Sequence, residues 1–101
     1  MTVITEVALK AGAESEWDKA MRDRLSAANG QPGLVAGQLL TPVDGRNRRV
    51  IVGTWMTKDE WGAWHDDPAF KETRDRLEGL QERPSEMQWF EVVNYGGEAT
   101  G

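Results

Sequence analysis

A chain of 101 residues, 39% hydrophobic and 29% charged, is sized for one globular domain with a modest core. The formal net charge of −5 argues against a nucleic-acid partner, since Arg46, Arg48 and Arg49 form the single basic cluster. The absence of cysteine excludes disulfides, thiolate nucleophiles, iron–sulfur clusters and Cys-based zinc sites. The opening MTVITEVALK lacks a basic region followed by an apolar run, and no stretch approaches the ~20 apolar residues of a membrane helix. A cytoplasmic protein with no membrane partner is expected.

Val3 to Leu9 alternates, with Val3, Thr5, Val7 and Leu9 on one face, and reads as a strand. A helix of period 3.6 follows, its apolar stripe being Trp17, Ala20, Met21, Leu25 and Ala28. Asn29-Gly30 supplies a stop, and Gln31-Pro32-Gly33 cannot continue the helix. Strands are predicted over Leu34–Val43 and Arg48–Met56, joined at Asp44-Gly45 by a turn of positive φ. Thr57-Lys58-Asp59-Glu60 fits a capping box and opens a short helix carrying Trp61 and Trp64. Asp67-Pro68 restarts the helix as N-cap and first residue, with Phe70, Thr73, Leu77 and Leu80 facing inward. Glu86–Tyr95 is the last strand. The order β-α-β-β-α-β is that of an α+β, ferredoxin-like split βαβ fold with a four-stranded antiparallel sheet. The domain is expected over residues 1–95, with a polar, glycine-rich tail over 96–101 that frays.

Two helices cover one face of such a sheet, yet Trp89-Phe90, Val92-Val93, Leu39-Leu40 and Val50-Ile51-Val52 place apolar side chains on both faces. Each large apolar side chain left in water forgoes ~1.5–3 kcal/mol. A homodimer packed through the outer sheet face is therefore expected.

The stretch TWMTKDEWGAWHDDPAF holds three of the five tryptophans and the lone histidine. Trp55 and Trp61 read as core, whereas Trp64, just before the break at His65–Pro68, reads as the rim of a cavity between helices and sheet. Thr5 is the one polar member of its strand face, so its hydroxyl bonds either a backbone carbonyl or a ligand. His65 reads as a residue of a solvated corner, or as a base if the break turns it inward. Arg74 either leans into the cavity or is solvated, and Arg46, Arg48 and Arg49 read as a solvated hairpin edge. Ser15, Ser26 and Ser85 sit in no nucleophile elbow, and no glycine-rich phosphate loop is present.

The segments GQPGLVAGQLLTPVDG and TWMTKDEWGAWHDDPAFKETRDRL resemble the antibiotic biosynthesis monooxygenase (ABM) family, and the likeness runs from about Val3 to Val93. The resemblance implies the dimeric α+β barrel fold and one pocket per subunit. It implies either of two chemistries: cofactor-free oxygenation of a small aromatic or polyketide-like substrate with O2, or haem degradation. Haem degraders of the family use a strand Asn, a helix Trp and a helix His. Trp64 matches the tryptophan, but Thr5 stands at the strand position and Thr73 or Arg74 at the histidine position. The axial ligand is thus replaced, and haem is disfavoured against a protein without cofactor. The resemblance then implies Trp64, Thr5, His65 and Arg74 as catalytic residues, with Phe70, Leu77 and Thr73 lining the substrate pocket. A non-catalytic ligand-binding dimer of the same fold is the alternative.

Overall fold

The computed structural model describes residues 1–94. The expected tail and Tyr95 lie outside the described residues, and the last strand, expected over Glu86–Tyr95, ends at Phe90, where its pairing with the first strand runs out at Thr2. The elements are β1 (Thr2–Ala8), α1 (Glu14–Ala28), β2 (Leu34–Leu40), β3 (Arg48–Trp55), α2 (Lys58–Asp66), α3 (Pro68–Glu78) and β4 (Glu86–Phe90). The strands form one antiparallel sheet in the order β2-β3-β1-β4, the ferredoxin-like arrangement.

Local chemistry divides the second helical segment in two. The Thr57 hydroxyl accepts the Glu60 N–H at 3.2 Å and donates to Glu60 Oε1 at 3.0 Å, which starts α2. Asp67 is extended, at φ −71° and ψ 138°, and ends that helix. Its carboxylate accepts the Ala69 N–H at 2.8 Å and starts α3, with Pro68 in the first turn where no N–H is needed.

The link between β2 and β3 differs from the expected tight turn. Among the described residues only Gly12 and Gly33 have positive φ, so Gly45 is not left-handed. β2 stops at Leu40, Pro42 brings no N–H for the ladder, and Val43 is 98% exposed. Arg49 organises this loop and is 5% exposed, not a solvated edge. Its guanidinium donates to Asp18 on α1 at 2.8 and 3.0 Å, and to the carbonyls of Arg46 and Arg48 at 2.8 Å each. The bond to Asp18, outweighing burial, raises the Arg49 pKa. Gly33 is the left-handed residue after α1: its carbonyl accepts the Met56 N–H at 2.7 Å, and any Cβ there would collide with the Glu60 carboxylate.

The strand faces separate by register. Val3, Thr5 and Val7 on β1, Ile51, Gly53 and Trp55 on β3, and Met87 and Trp89 on β4 share the helix side. The outer side carries Ile4, Val50, Val52, Leu40 and Phe90, but also Glu6, Gln38, Glu86 and Gln88. It is therefore an apolar centre crossed by polar rows, less uniformly apolar than the paired residues in the sequence suggest.

Candidate active site

The helix side of the sheet does not fill evenly. One buried cluster gathers Val7, Leu9, Trp17, Ala20, Met21 and Leu77, and another Val3, Ala28, Trp55 and Trp64. Between them the sheet lacks bulk at Gly37, Gly53 and Thr5, with Ile51 and Met87 bordering the gap. Thr5 stands opposite Ile51 and Met87, Val3 opposite Gly53, and Gly53 opposite Gly37. Glycine, glycine and threonine cannot reach the helices, so a cavity of about 680 Å³ remains, within the span typical of small-molecule sites.

Indoles wall it. Trp55 and Trp64 are each 4% exposed and border both core and cavity. Trp61, expected to be core, is the half-buried one, packed edge-on against Trp89 with centroids 4.9 Å apart. Trp64 meets Phe70 edge-to-face at 5.7 Å, so the aromatic wall is interlocked before any ligand arrives.

His65 is half-buried and lines this cavity, so the solvated-corner expectation does not hold. Its ring is wedged between Trp61 and Phe70, at 3.8 and 4.0 Å between centroids. Nδ1 lies 2.9 Å from the Trp61 carbonyl, which can only accept, so Nδ1 carries the proton and Nε2 keeps the lone pair in the neutral ring. Burial lowers the His65 pKa below 6.5, and the Arg24 cation lowers it further, against the opposing pull of the Trp61 carbonyl and Asp66. The neutral form therefore prevails at pH 7.

Arg24, on α1, lines the same cavity and was not among the residues singled out from the sequence. Its Nε donates to Thr73 Oγ1 at 2.8 Å and Nη2 to the Phe70 carbonyl at 3.3 Å, while Cζ lies 3.9 Å above the Phe70 ring. Desolvation pushes its pKa down to about 10, partly offset by Glu78 and reinforced by Arg74, so it remains a cation at neutral pH. A signal existed: Trp17, Ala20, Met21, Arg24 and Ala28 follow the i, i+3, i+4, i+7 spacing, so Arg24 occupies a core-stripe position.

Thr5, Trp64, His65, Phe70, Arg74 and Leu77 all border the cavity. Thr73 does not. Its hydroxyl accepts from Arg24 and donates to the Phe70 carbonyl at 3.1 Å, which fixes the guanidinium without forming wall. Arg74 is at the cavity edge with its side chain 50% exposed, 3.7 Å from Asp75. Thr5 has no hydroxyl partner of the kind that joins Thr2 to Thr54 at 2.9 Å, among the described residues.

The family profile described as antibiotic biosynthesis monooxygenase matches residues 1–76. The chain belongs to the ABM family. A mycobilin-producing heme oxygenase of Mycobacterium tuberculosis is 35% identical over 66 residues, covering 65% of this chain and 63% of that protein's length. SnoaB, a cofactor-independent oxygenase from Streptomyces nogalater, solved as a single-residue variant, superposes with a TM-score of 0.83 at 23% identity, over 93% of each chain. Rv0793 from M. tuberculosis superposes with a TM-score of 0.86 at 14% identity, over 95% of this chain and 97% of that one. These structural likenesses establish the shared fold.

The residues present do not fit a haem iron ligated from α3. Thr73 is committed to Arg24, and Arg74 is a cation without a lone pair. The imidazole available is His65 on α2, whose ring is clamped by two aromatics and whose basicity is lowered.

Proposed function

We propose that this ABM protein is a cofactor-independent monooxygenase acting on a small aromatic, polyketide-like substrate with O2 in the helix–sheet cavity. The observation that carries the reading is the pairing, within one aromatic-walled cavity, of a neutral imidazole with a desolvated guanidinium. The first can take a proton, and the second can hold the anion left behind. SnoaB, described as a cofactor-independent oxygenase, has the same fold.

The substrate ring lies against Trp64 and Phe70, with Leu77 as a further apolar wall. His65 Nε2 takes a proton from the acidic methylene carbon of an anthrone-like compound, and Arg24 faces the oxygen onto which the charge delocalises. Thr5 orients that oxygen, and Arg74 adds positive charge at the cavity edge. The resulting electron-rich anion passes one electron to O2, and recombination of the two radicals forms the C–O bond. Loss of water then leaves a carbonyl. In balance, the methylene gives up both hydrogens, one oxygen atom of O2 becomes the carbonyl oxygen, and the other leaves as water with those two hydrogens. Exclusion of water from the apolar walls strengthens the Arg24–anion attraction.

A homodimer formed through the outer sheet face belongs to the same reading. Leu40 and Phe90 are exposed by 43% and 40% there, around Ile4, Val50 and Val52. Sedimentation at micromolar concentration would show a dimer, and a stable 11.3 kDa particle would remove this part. The second reading, haem degradation, is favoured by the 35% identity to a heme oxygenase. A haem titration followed by absorbance decides against it if no Soret shift appears. Oxygen uptake with anthrone and hydroquinone separates the oxygenase from a ligand-binding dimer without chemistry, in which the compounds bind but O2 is not consumed.

A further inference from the structure

Gly37 lies in the interior of β2, where glycine weakens a strand through backbone entropy and the loss of a side chain to pack. Its backbone does not demand glycine, since positive φ among the described residues is confined to Gly12 and Gly33. Nor does a neighbour need the room, because a Cβ built on Gly37 meets no protein atom within 4 Å. Its cross-strand partner Gly53 is different. There a Cβ would stand 3.3 Å from Trp55 Nε1 and 3.6 Å from Val3 Cγ1, so Gly53 makes room for the indole.

The direction of the missing side chain follows from the strand period. Leu39, two residues on, pairs with Ile51 and packs with it against the helix-side core, so the Cβ position of Gly37 points to the same side. Gly37, Gly53 and Trp55 all border the cavity. Trp55 is 4% exposed, and its Nε1–H has no hydrogen-bond partner among the described residues, yet it is not an enclosed unpaired donor. That donor therefore opens onto the cavity beside the bare backbone.

We infer that the bare backbone at Gly37 and the Trp55 Nε1–H, for which Gly53 leaves room, form a specificity-determining subsite for the far ring of a fused, planar polycyclic substrate bearing an oxygen. The far ring lies flat on the peptide floor at Gly37 at van der Waals distance, and a substrate oxygen beside that ring accepts from the indole N–H. This rests on the aromatic-substrate reading and narrows it: a one-ring compound held by Trp64 and Arg24 needs no such floor.

The test is binding, read anaerobically by quenching of tryptophan fluorescence. The probes are hydroquinone, 1-naphthol and anthraquinone, with one, two and three rings. Gly37→Val adds a branched side chain that strands favour, and should weaken anthraquinone binding by about tenfold or more, 1-naphthol less, and hydroquinone by less than about twofold. Gly37→Ala should fall between, which keeps the test open if the valine variant folds poorly. Gly30→Ala, also open but outside the cavity, should change none of them. Trp55→Phe should weaken anthraquinone but not anthracene, which has no oxygen to accept the bond. Equal weakening of all three probes by Gly37→Val, or none, overturns the subsite. Binding of anthraquinone without oxygen uptake on anthrone removes the oxygenase reading and leaves the subsite standing. Wild-type protein that binds none of the probes overturns both.

Discussion

Replacing Arg24 with methionine keeps a long side chain and removes a guanidinium that the fold holds half-buried against the cavity. Its pKa is pushed down to about 10 from the usual guanidinium range, chiefly by desolvation. At about 1.4 kcal/mol per pH unit, that difference sets an upper bound of about 3 kcal/mol on the charge's cost. Solvent reaches this half-buried group, so the realised cost is roughly 1–2 kcal/mol. The sign is that of a base with a lowered folded pKa. The unfolded chain binds the proton more tightly, so the penalty is fully present at neutral pH and fades as pH rises through about 10 towards the ordinary guanidinium range. Against it stand two hydrogen bonds, to Thr73 and the Phe70 carbonyl, worth about 0.5–1.5 kcal/mol each, and the contact over Phe70, worth about 0.5–1 kcal/mol. These contacts, about 1.5–4 kcal/mol together, somewhat outweigh the cost, so Arg24→Met should lower stability by roughly 1 kcal/mol, or about 4–8 °C in Tm. Turnover should fall by about 10²–10³, the usual effect of removing one donor from an anion site. Thermal melting and oxygen uptake on the same preparation check both halves. A variant destabilised by well over about 2 kcal/mol, or one that retains full turnover, refutes the assignment of Arg24 to the anion.

The base should be visible in the pH profile. His65 must be neutral to act, so kcat/KM should persist above its lowered pKa and fall only below pH 6.5, and Arg24→Met should move that limb upward towards 6.5. A limb unmoved by the substitution would mean that the titrating group is not beside Arg24. Asp18→Ala leaves the Arg49 cation, 5% exposed, without its carboxylate, and should cost about 3–5 kcal/mol in urea unfolding. Adding Arg49→Met to that variant should recover part of the loss. Trp64→Phe should weaken aromatic probe binding by about tenfold while leaving the sedimentation behaviour of the protein unchanged. Trp64→Ala should also lower stability by about 3–5 kcal/mol, because the indole is 4% exposed and belongs to the core as well as the cavity.

Elements whose cause is local are legible in the chain. Thr57 and Asp67-Pro68 cap their helices through their own side chains, so α2 and α3 start where the residue types say they must. The alternation of Val3, Thr5 and Val7 tells which face of β1 meets the helices. What depends on tertiary placement is not legible. Asp44-Gly45 has turn chemistry, yet Arg49 pulls the loop onto Asp18 and no left-handed residue is needed. Leu34–Val43 reads as one strand, but β2 stops at Leu40, Pro42 brings no N–H for the ladder, and Val43 stands in water. In the site, Phe70 and Leu77 follow from helical spacing and Trp64 from its place before the helix break, whereas His65 is drawn inward by Trp61 and Phe70, contacts that the break does not reveal. Thr73 lies on the inward stripe, where a wall residue is expected, but Arg24, crossing from another helix, claims its hydroxyl. The cavity itself arises from Gly37, Gly53 and Thr5 meeting across three strands, and pairing register is a long-range property.

The decisive measurement is oxygen consumption by purified protein, freed of haem and metal, with anthrone as substrate at about pH 7.5 and the product identified by mass. The account predicts uptake well above the uncatalysed rate, with one O2 consumed per anthraquinone formed and most of the rate lost in His65→Ala. Uptake no faster than buffer with anthrone fully bound, or turnover appearing only after haem is added, would contradict it.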